Sequence, residues 1–313
     1  GMKRASDTAN CSLVISEYPM SSMKINCSPA DSQLRTISTC VNNTISLWNL
    51  EDKGCRLVSS EIVQNPRTAA ALRVDAMSLG SFATDSLIAC GNNDLSLQVY
   101  NNRASQKLRW NSPNAHDSYI NDLKFLYSSS AEFGIVSCAD DQTIRVWDVN
   151  SDSVAVEYKT RSTPVSIATH KDMPDQFWVA EIDGAVKLYD KSSSSPICSL
   201  SSASKLPFHQ MDWNNQAVNM IGGTDRGKWY LWDWKAGKIF ASGGTLCEAT
   251  GFHWSFSQRN LFTVNSSSEA LIWDTDHLGV GCSQLHQKSR IHDVTWLGDN
   301  ACCVVASGGN LIF

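Results

Sequence analysis

A histidine, a serine and an aspartate stand near one another in this 313-residue chain: His116 in "NAHDSYINDLKF", then Ser137 and Asp141 in "SCADDQTIRVWDV". These three types can form a hydrolytic set, in which a carboxylate orients an imidazole that takes the proton from an attacking hydroxyl. They can equally close a buried hydrogen-bonded chain that fixes strands and performs no chemistry. Access separates the two: a nucleophile must face a substrate. A second group of reactive types, His277, Cys282, His286 and His292, suggests zinc. Structural zinc sites, however, present closely paired ligands on a turn or helix, whereas side chains along a strand alternate and diverge. No metal site is expected there. "GVGCSQ" lacks the third glycine of a dinucleotide fingerprint, and nothing follows G-x-x-x-x-G-K, so no cofactor and no small-molecule substrate are expected. The neighbouring Asp140 and Asp141 read as turn residues, where Asp is favoured for backbone reasons.

The elements that must position these side chains follow from bulk properties first. Hydrophobic residues make up 42% of the chain and tryptophans number 11, ample material for a core. With 26 basic against 31 acidic residues and a net charge of -5, no dense cationic cluster offers a phosphate backbone its counterion-release contacts, and direct nucleic-acid binding is not expected. No apolar run approaches the roughly 20 residues of a membrane span, so neither membrane insertion nor secretion is expected. Eleven cysteines without a C-x-x-C pair suit reduced thiols, mostly acting as small buried hydrophobes.

An internal repeat then carries the architecture. Strand-like endings recur as "ISLWNL", "LQVYNN", "IRVWDV", "VKLYDK", "WYLWDW", "ALIWDT" and "NLIF", anchored by Trp48, Tyr100, Trp147, Tyr189, Trp232, Trp273 and Phe313. Successive anchors stand 52, 47, 42, 43, 41 and 40 residues apart, bracketing the roughly 40 to 45 of one four-stranded propeller blade. Each unit carries earlier apolar strands before its anchor strand, with Gly, Asn, Asp and Ser between and no useful helical period. The expectation is an all-β, seven-bladed propeller formed by residues 1–313 as a single domain. The seventh unit ends at its third strand, so "CSLVISEY", Cys11 to Tyr18, is expected to close the ring as an N-terminal clasp strand, removing exposed edges.

The His116, Ser137, Asp141 and Trp147 set resembles the WD-repeat pattern, in which a His before strand a, a Ser or Thr on strand b, an Asp in the b–c turn and the Trp of strand c are hydrogen-bonded. The structural role is therefore expected, complete in one blade only. Other units retain fragments, such as Ser38 with Trp48 or Asp183 with Tyr189, and Arg226 stands where the fifth would have its Asp. Most tryptophans take repeat positions. Trp110, Trp229 and Trp234 do not, and tryptophan is enriched at binding hot spots, so these three are the candidate protein interface, with packing between blades as the alternative.

From Asn111 to Gly279 the chain resembles one WD-repeat family, the small propeller nucleoporin of the Y-shaped outer-ring complex of the nuclear pore. The matching stretches are "HDSYINDLKF" leading into "SCADDQTIRVWD", "WVAEIDGAVKLYD", "CEATGFHWSFSQRNLFTV" and the "DHLG" after the sixth anchor. The resemblance implies a non-enzymatic scaffold at the nuclear envelope, docking on the α-helical region of the largest arm nucleoporin. The alternative is another WD-repeat adaptor, a chromatin reader or a ubiquitin-ligase substrate receptor.

Overall fold

The computed structural model describes residues 12–14, 23–26, 36–41, 44–51, 54–62, 66–73, 86–101, 108–126, 134–149, 151, 153–202, 204, 206–245, 247–296, 303–308 and 310–312. Period-2 alternation within short segments, punctuated by Asp, Asn, Ser and Gly turns, gives strands throughout. The one helical piece among the described residues is the 3-10 segment Thr275–Val280.

The described strands form seven four-stranded antiparallel sheets. In six of them sequence order is spatial order, strands a, b, c and d. Strand a is in turn Met23–Asn26, Pro66–Arg73, Ile120–Leu126, Pro164–Thr169, Phe208–Trp213, Ala249–Trp254 and, for the seventh sheet, Ile291–Trp296. Each strand a touches strand a of the next sheet, and that of the seventh touches that of the first, so these inner strands follow one another round a circle. This is a β-propeller. The seventh sheet takes its outer strand from the other end of the chain, with Ser12 opposite Ile312, Leu13 opposite Leu311 and Val14 opposite Asn310. The remainder of Cys11 to Tyr18, and the anchor Phe313, lie outside the described residues.

The core lies within and between sheets. In the third, Ile135, Val136 and Cys138 are fully buried on strand b and face Trp147, Val146 and Ile144 of strand c. Between sheets, aromatic rings of one lie on glycines of its neighbour: a Cβ on Gly222 would collide with the Phe252 ring, so glycine there answers a close approach.

An inner strand has a partner on one edge only, and backbone groups on its free edge need others. Side chains of the preceding sheet supply them. Asp122 Oδ2 accepts from the Ile167 amide at 2.7 Å, Ser166 Oγ from the Met211 amide at 3.1 Å, and Asp212 Oδ2 from the Trp254 amide at 2.8 Å. The third to sixth sheets are thus joined inner strand to inner strand.

The clasp makes a direct prediction. Deleting residues 1–20 removes Ser12–Val14 and exposes the edge of Asn310–Ile312, and the expected result is a lower melting temperature and loss of monomer on size exclusion. A truncated chain that stays monomeric and melts with the full chain contradicts closure by this strand.

Candidate functional site

In the third sheet His116 lies in the turn before strand a, Ser137 on strand b, Asp141 in the b–c turn and Trp147 on strand c. They form one chain. Asp141 Oδ2 accepts from His116 Nδ1 at 3.0 Å. A carboxylate only accepts, so Nδ1 carries the proton and Nε2 is left to accept the Ser137 hydroxyl at 2.7 Å. Ser137 Oγ in turn accepts the Trp147 indole N–H at 2.9 Å. Thr143, which the sequence did not single out, donates its hydroxyl to Asp141 Oδ1 at 2.7 Å, and the Asp117 amide donates to Oδ2 at 3.0 Å.

The Asp–His–Ser connectivity is that of a hydrolytic triad, but the environment is not. Ser137 is 0% exposed and His116 1%, and the serine oxygen is occupied by an indole N–H. Burial pushes the His116 ring below its ordinary pKa by more than Asp141 lifts it, which keeps the ring neutral. Burial raises the Asp141 carboxyl, but the Thr143 hydroxyl, the Asp117 amide and His116 outweigh it and hold the group below its usual range. The set is mutually satisfied, with no approach for a substrate.

The same indole-to-strand-b bond recurs in the first sheet, where Trp48 Nε1 donates to Thr39 Oγ1 at 3.0 Å. Thr39, rather than the expected Ser38, is the partner. Trp48 lies opposite Ile37, and the acceptor stands two residues further on, just as Ser137 stands two beyond Ile135, the residue opposite Trp147. By that register the acceptor position holds Cys90, Val179, Gly223 and Val264 in the second, fourth, fifth and sixth sheets, and the Trp273 N–H is left without a protein partner.

The fourth sheet keeps its turn carboxylate at the Asp141 position, whereas the fifth secures the b–c turn from the last residue of strand b. In the fifth, Asp225, not Arg226, is the turn carboxylate: it is fully buried and accepts from the Gly227 and Lys228 amides and the Tyr230 hydroxyl, each at 2.8 Å. In the fourth, Glu181 binds Lys187 at 2.6 Å, while Asp183 Oδ1 accepts the Ala185 amide at 3.0 Å. Tyr189 is placed by stacking on Phe177 at 5.6 Å.

The inner strands, around the channel, carry a further group of charges. Lys124 Nζ lies 3.0 Å from Asp122 Oδ1; burial opposes its charge, but Asp122, with Asp212 and Asp293, lifts its pKa. Asp212 is pushed up to about 7 by burial, although the Trp254 and Trp213 amides and Lys124 favour the charged form. His253 Nε2 stands 3.8 Å from Asp293.

Of the three tryptophans expected at an interface, two are core residues. Trp110 is 7% exposed and meets Trp147 of the next sheet edge-on at 5.7 Å. Trp229 is 2% exposed and packs at 5.2 Å on both Phe262 and Trp273 of the sixth sheet. Both fill space between sheets, where no partner can reach them. Trp234 is half-buried, donates to Val218 O at 2.6 Å and meets Trp178 edge-on at 5.7 Å. His277 and His286 face separate carboxylates, Asp274 at 3.0 Å and Glu269 at 3.2 Å, and among the described residues no three ligand-type side chains are grouped for a metal ion.

No family model matches the chain. The chain is similar to nucleoporin Nup37 of mouse, 26% identical over 193 residues that make up 59% of this chain and 57% of the relative. It is also similar to nucleoporin Nup37 of human, 24% identical over 228 residues, 70% of this chain and 68% of that protein. Topless-related protein 2 of Arabidopsis thaliana is 27% identical over 183 residues, 55% of this chain and 15% of that protein. The aligned stretch spans less than two thirds of the mouse relative's length.

Two predictions follow from the polar chains. Ser137→Ala leaves the Trp147 N–H and His116 Nε2 without partners and is expected to lower stability by about 1 to 3 kcal/mol in denaturant unfolding, with no esterase activity to lose; wild-type turnover abolished by this variant at unchanged stability contradicts a buried structural chain. Asp212 has a folded pKa of about 7 above an unfolded value of about 3.9, so its contribution is fully present below the unfolded value and is lost as pH rises through about 7. Asp212→Asn is therefore expected to flatten the decline in unfolding free energy between about pH 4 and pH 7. An identical pH slope in both proteins contradicts the burial of that carboxylate.

Proposed function

We propose that this chain is a non-enzymatic scaffold subunit of the outer ring of the nuclear pore complex, resident at the nuclear envelope and docking on a helical-repeat nucleoporin, most directly the α-helical region of the largest arm nucleoporin. In this reading residues 1–313 act as one propeller with Trp48, Tyr100, Trp147, Tyr189, Trp232, Trp273 and Phe313 as anchors, and the His116, Ser137, Asp141 and Trp147 set is structural.

The observation that carries the reading is the similarity to Nup37 of mouse and of human on a chain with a propeller fold. Two features of the site favour it. The Ser–His–Asp constellation of the third sheet has its hydroxyl fully buried, and Lys124 and His253 each face a carboxylate of the inner strands. A propeller of this kind offers a rigid face that itself loses little freedom on binding. A second reading, a WD-repeat adaptor outside the pore, draws on the similarity to Topless-related protein 2.

Tagging the protein at its endogenous level and identifying what co-purifies tests the first reading against the second. The expected outcome is a nuclear-rim signal with outer-ring nucleoporins recovered. A diffuse signal without those nucleoporins overturns the pore reading in favour of the adaptor.

A further inference from the structure

Where strand b of a sheet ends and strand a begins, two turn residues stand side by side at the mouth of the channel. Backbone bonds join them within a sheet, Asp140 N to Tyr119 O and Ile182 N to Thr163 O, each at 2.8 Å. A further bond, Phe208 N to Ile182 O at 3.2 Å, and one from Asn121 Nδ2 to Pro164 O at 3.0 Å, join neighbouring sheets. The rim over the third to fifth sheets is therefore a single bonded surface.

Its composition is uneven. Over these three sheets it exposes Tyr119 at 49%, Ile182 at 43% and Leu206 at 45%. The position of Tyr119, immediately before strand a, is held by Glu248 and Arg290 in the sixth and seventh sheets. Isolated exposed apolar residues need no explanation, but here three occupy adjoining turns held rigid by backbone bonds. Asp117, Asp140 and Asp183 are exposed on the same turns, with Arg161 and Arg226 as exposed cations against them, the second of these paired with Glu248 at 3.2 Å. Below the mouth, Asp122, Asp212 and Asp293 act together on the Lys124 ammonium. Carboxylates at the rim and within a low-dielectric channel focus a negative potential on its mouth.

We propose that this rim, over the third to fifth sheets, docks a partner segment in which aliphatic or aromatic residues are interspersed with Lys or Arg. The apolar side chains cover Tyr119, Ile182 and Leu206, and a cation seats over the channel mouth, where the carboxylates hold it. The proposal rests on the scaffold reading for the identity of the partner, the helical arm nucleoporin, and on the surface alone for the chemistry of the segment.

Two measurements on the intact protein test it. In fluorescence anisotropy, a labelled twelve-residue peptide mixing Leu with Arg is compared with the same peptide carrying Glu for Arg. The basic peptide is expected to bind at least about tenfold more tightly, and the Tyr119→Ser/Ile182→Ser/Leu206→Ser variant to lose about tenfold or more of that affinity. A control, Ile197→Ser/Val280→Ser, changes residues 50% and 56% exposed at the opposite end of the sheets and is expected to bind as wild type. Equal binding of the two peptides, no binding of either, or full binding by the rim variant at an unchanged melting temperature overturns the proposal. In the second measurement the helical region of the largest arm nucleoporin is captured by the same proteins. Capture lost by the rim variant and kept by the control supports the surface. Undiminished capture by the rim variant overturns the surface and leaves the scaffold reading standing. Failure of wild type to capture the arm removes that partner, and the peptide result then decides the surface by itself.

Discussion

The structure depends on what happens at the inner edge of each sheet. Strand a pairs with strand b on one side and has no strand on the other, so its inward-facing amides must find acceptors or bear the cost of being buried without one. The acceptors come from the preceding sheet, as short polar side chains at alternate positions of its own inner strand: Asp122 for Ile167, Ser166 for Met211 and Asp212 for Trp254. Only a short side chain holds adjacent inner strands close enough for the bond. The two carboxylate bonds, where the group is ionised, are charge-assisted and contribute more than the neutral Ser166 bond, about 1.5 to 3 kcal/mol each, and they are opposed by the cost of burying the carboxylate, visible in the raised pKa of Asp212. The charged groups in the channel are thus first of all the means by which sheets are spaced, and the rim above them inherits its rigidity and its negative field.

The Ser–His–Asp set shows how far residue type and spacing underdetermine chemistry. Its donors and acceptors run in the order a hydrolase would use, from Asp141 through His116 to Ser137. The hydroxyl is nevertheless capped by the Trp147 N–H and sealed from solvent. A neutral imidazole, protonated on Nδ1 and accepting on Nε2, is as useful for connecting three strands as for activating a nucleophile. Burial decides between the two uses, and burial comes from the strands on either side.

Much of this was readable from the chain alone. The regular spacing of the anchors gives the sheets, because one four-stranded unit needs a nearly fixed length; Ser137 and Asp141 are fixed relative to Trp147 within the b–c hairpin, and His116 comes from the turn before strand a of the same sheet. What failed turned on single-residue register. Ser38 and Thr39 are both plausible acceptors for Trp48 until the pairing of Ile37 with Trp48 is known, and Asp225 and Arg226 differ only in which one ends strand b. The bonds between sheets join residues 42 to 45 apart with no local pattern to mark them, although short polar residues within otherwise apolar inner strands were a usable sign. Trp110 and Trp229 stand outside the repeat pattern because it describes one unit at a time, whereas their surroundings belong to two.

Amide hydrogen exchange at Ile167, Met211 and Trp254 measures the central claim, that the inner edge of one sheet is held by side chains of the last. If the bonds from Asp122, Ser166 and Asp212 join the sheets, these three amides exchange only through global unfolding, with the free energy obtained from denaturant titration. Exchange at a far lower free energy, as at a frayed edge strand, would contradict it and leave the spacing of the sheets without its cause.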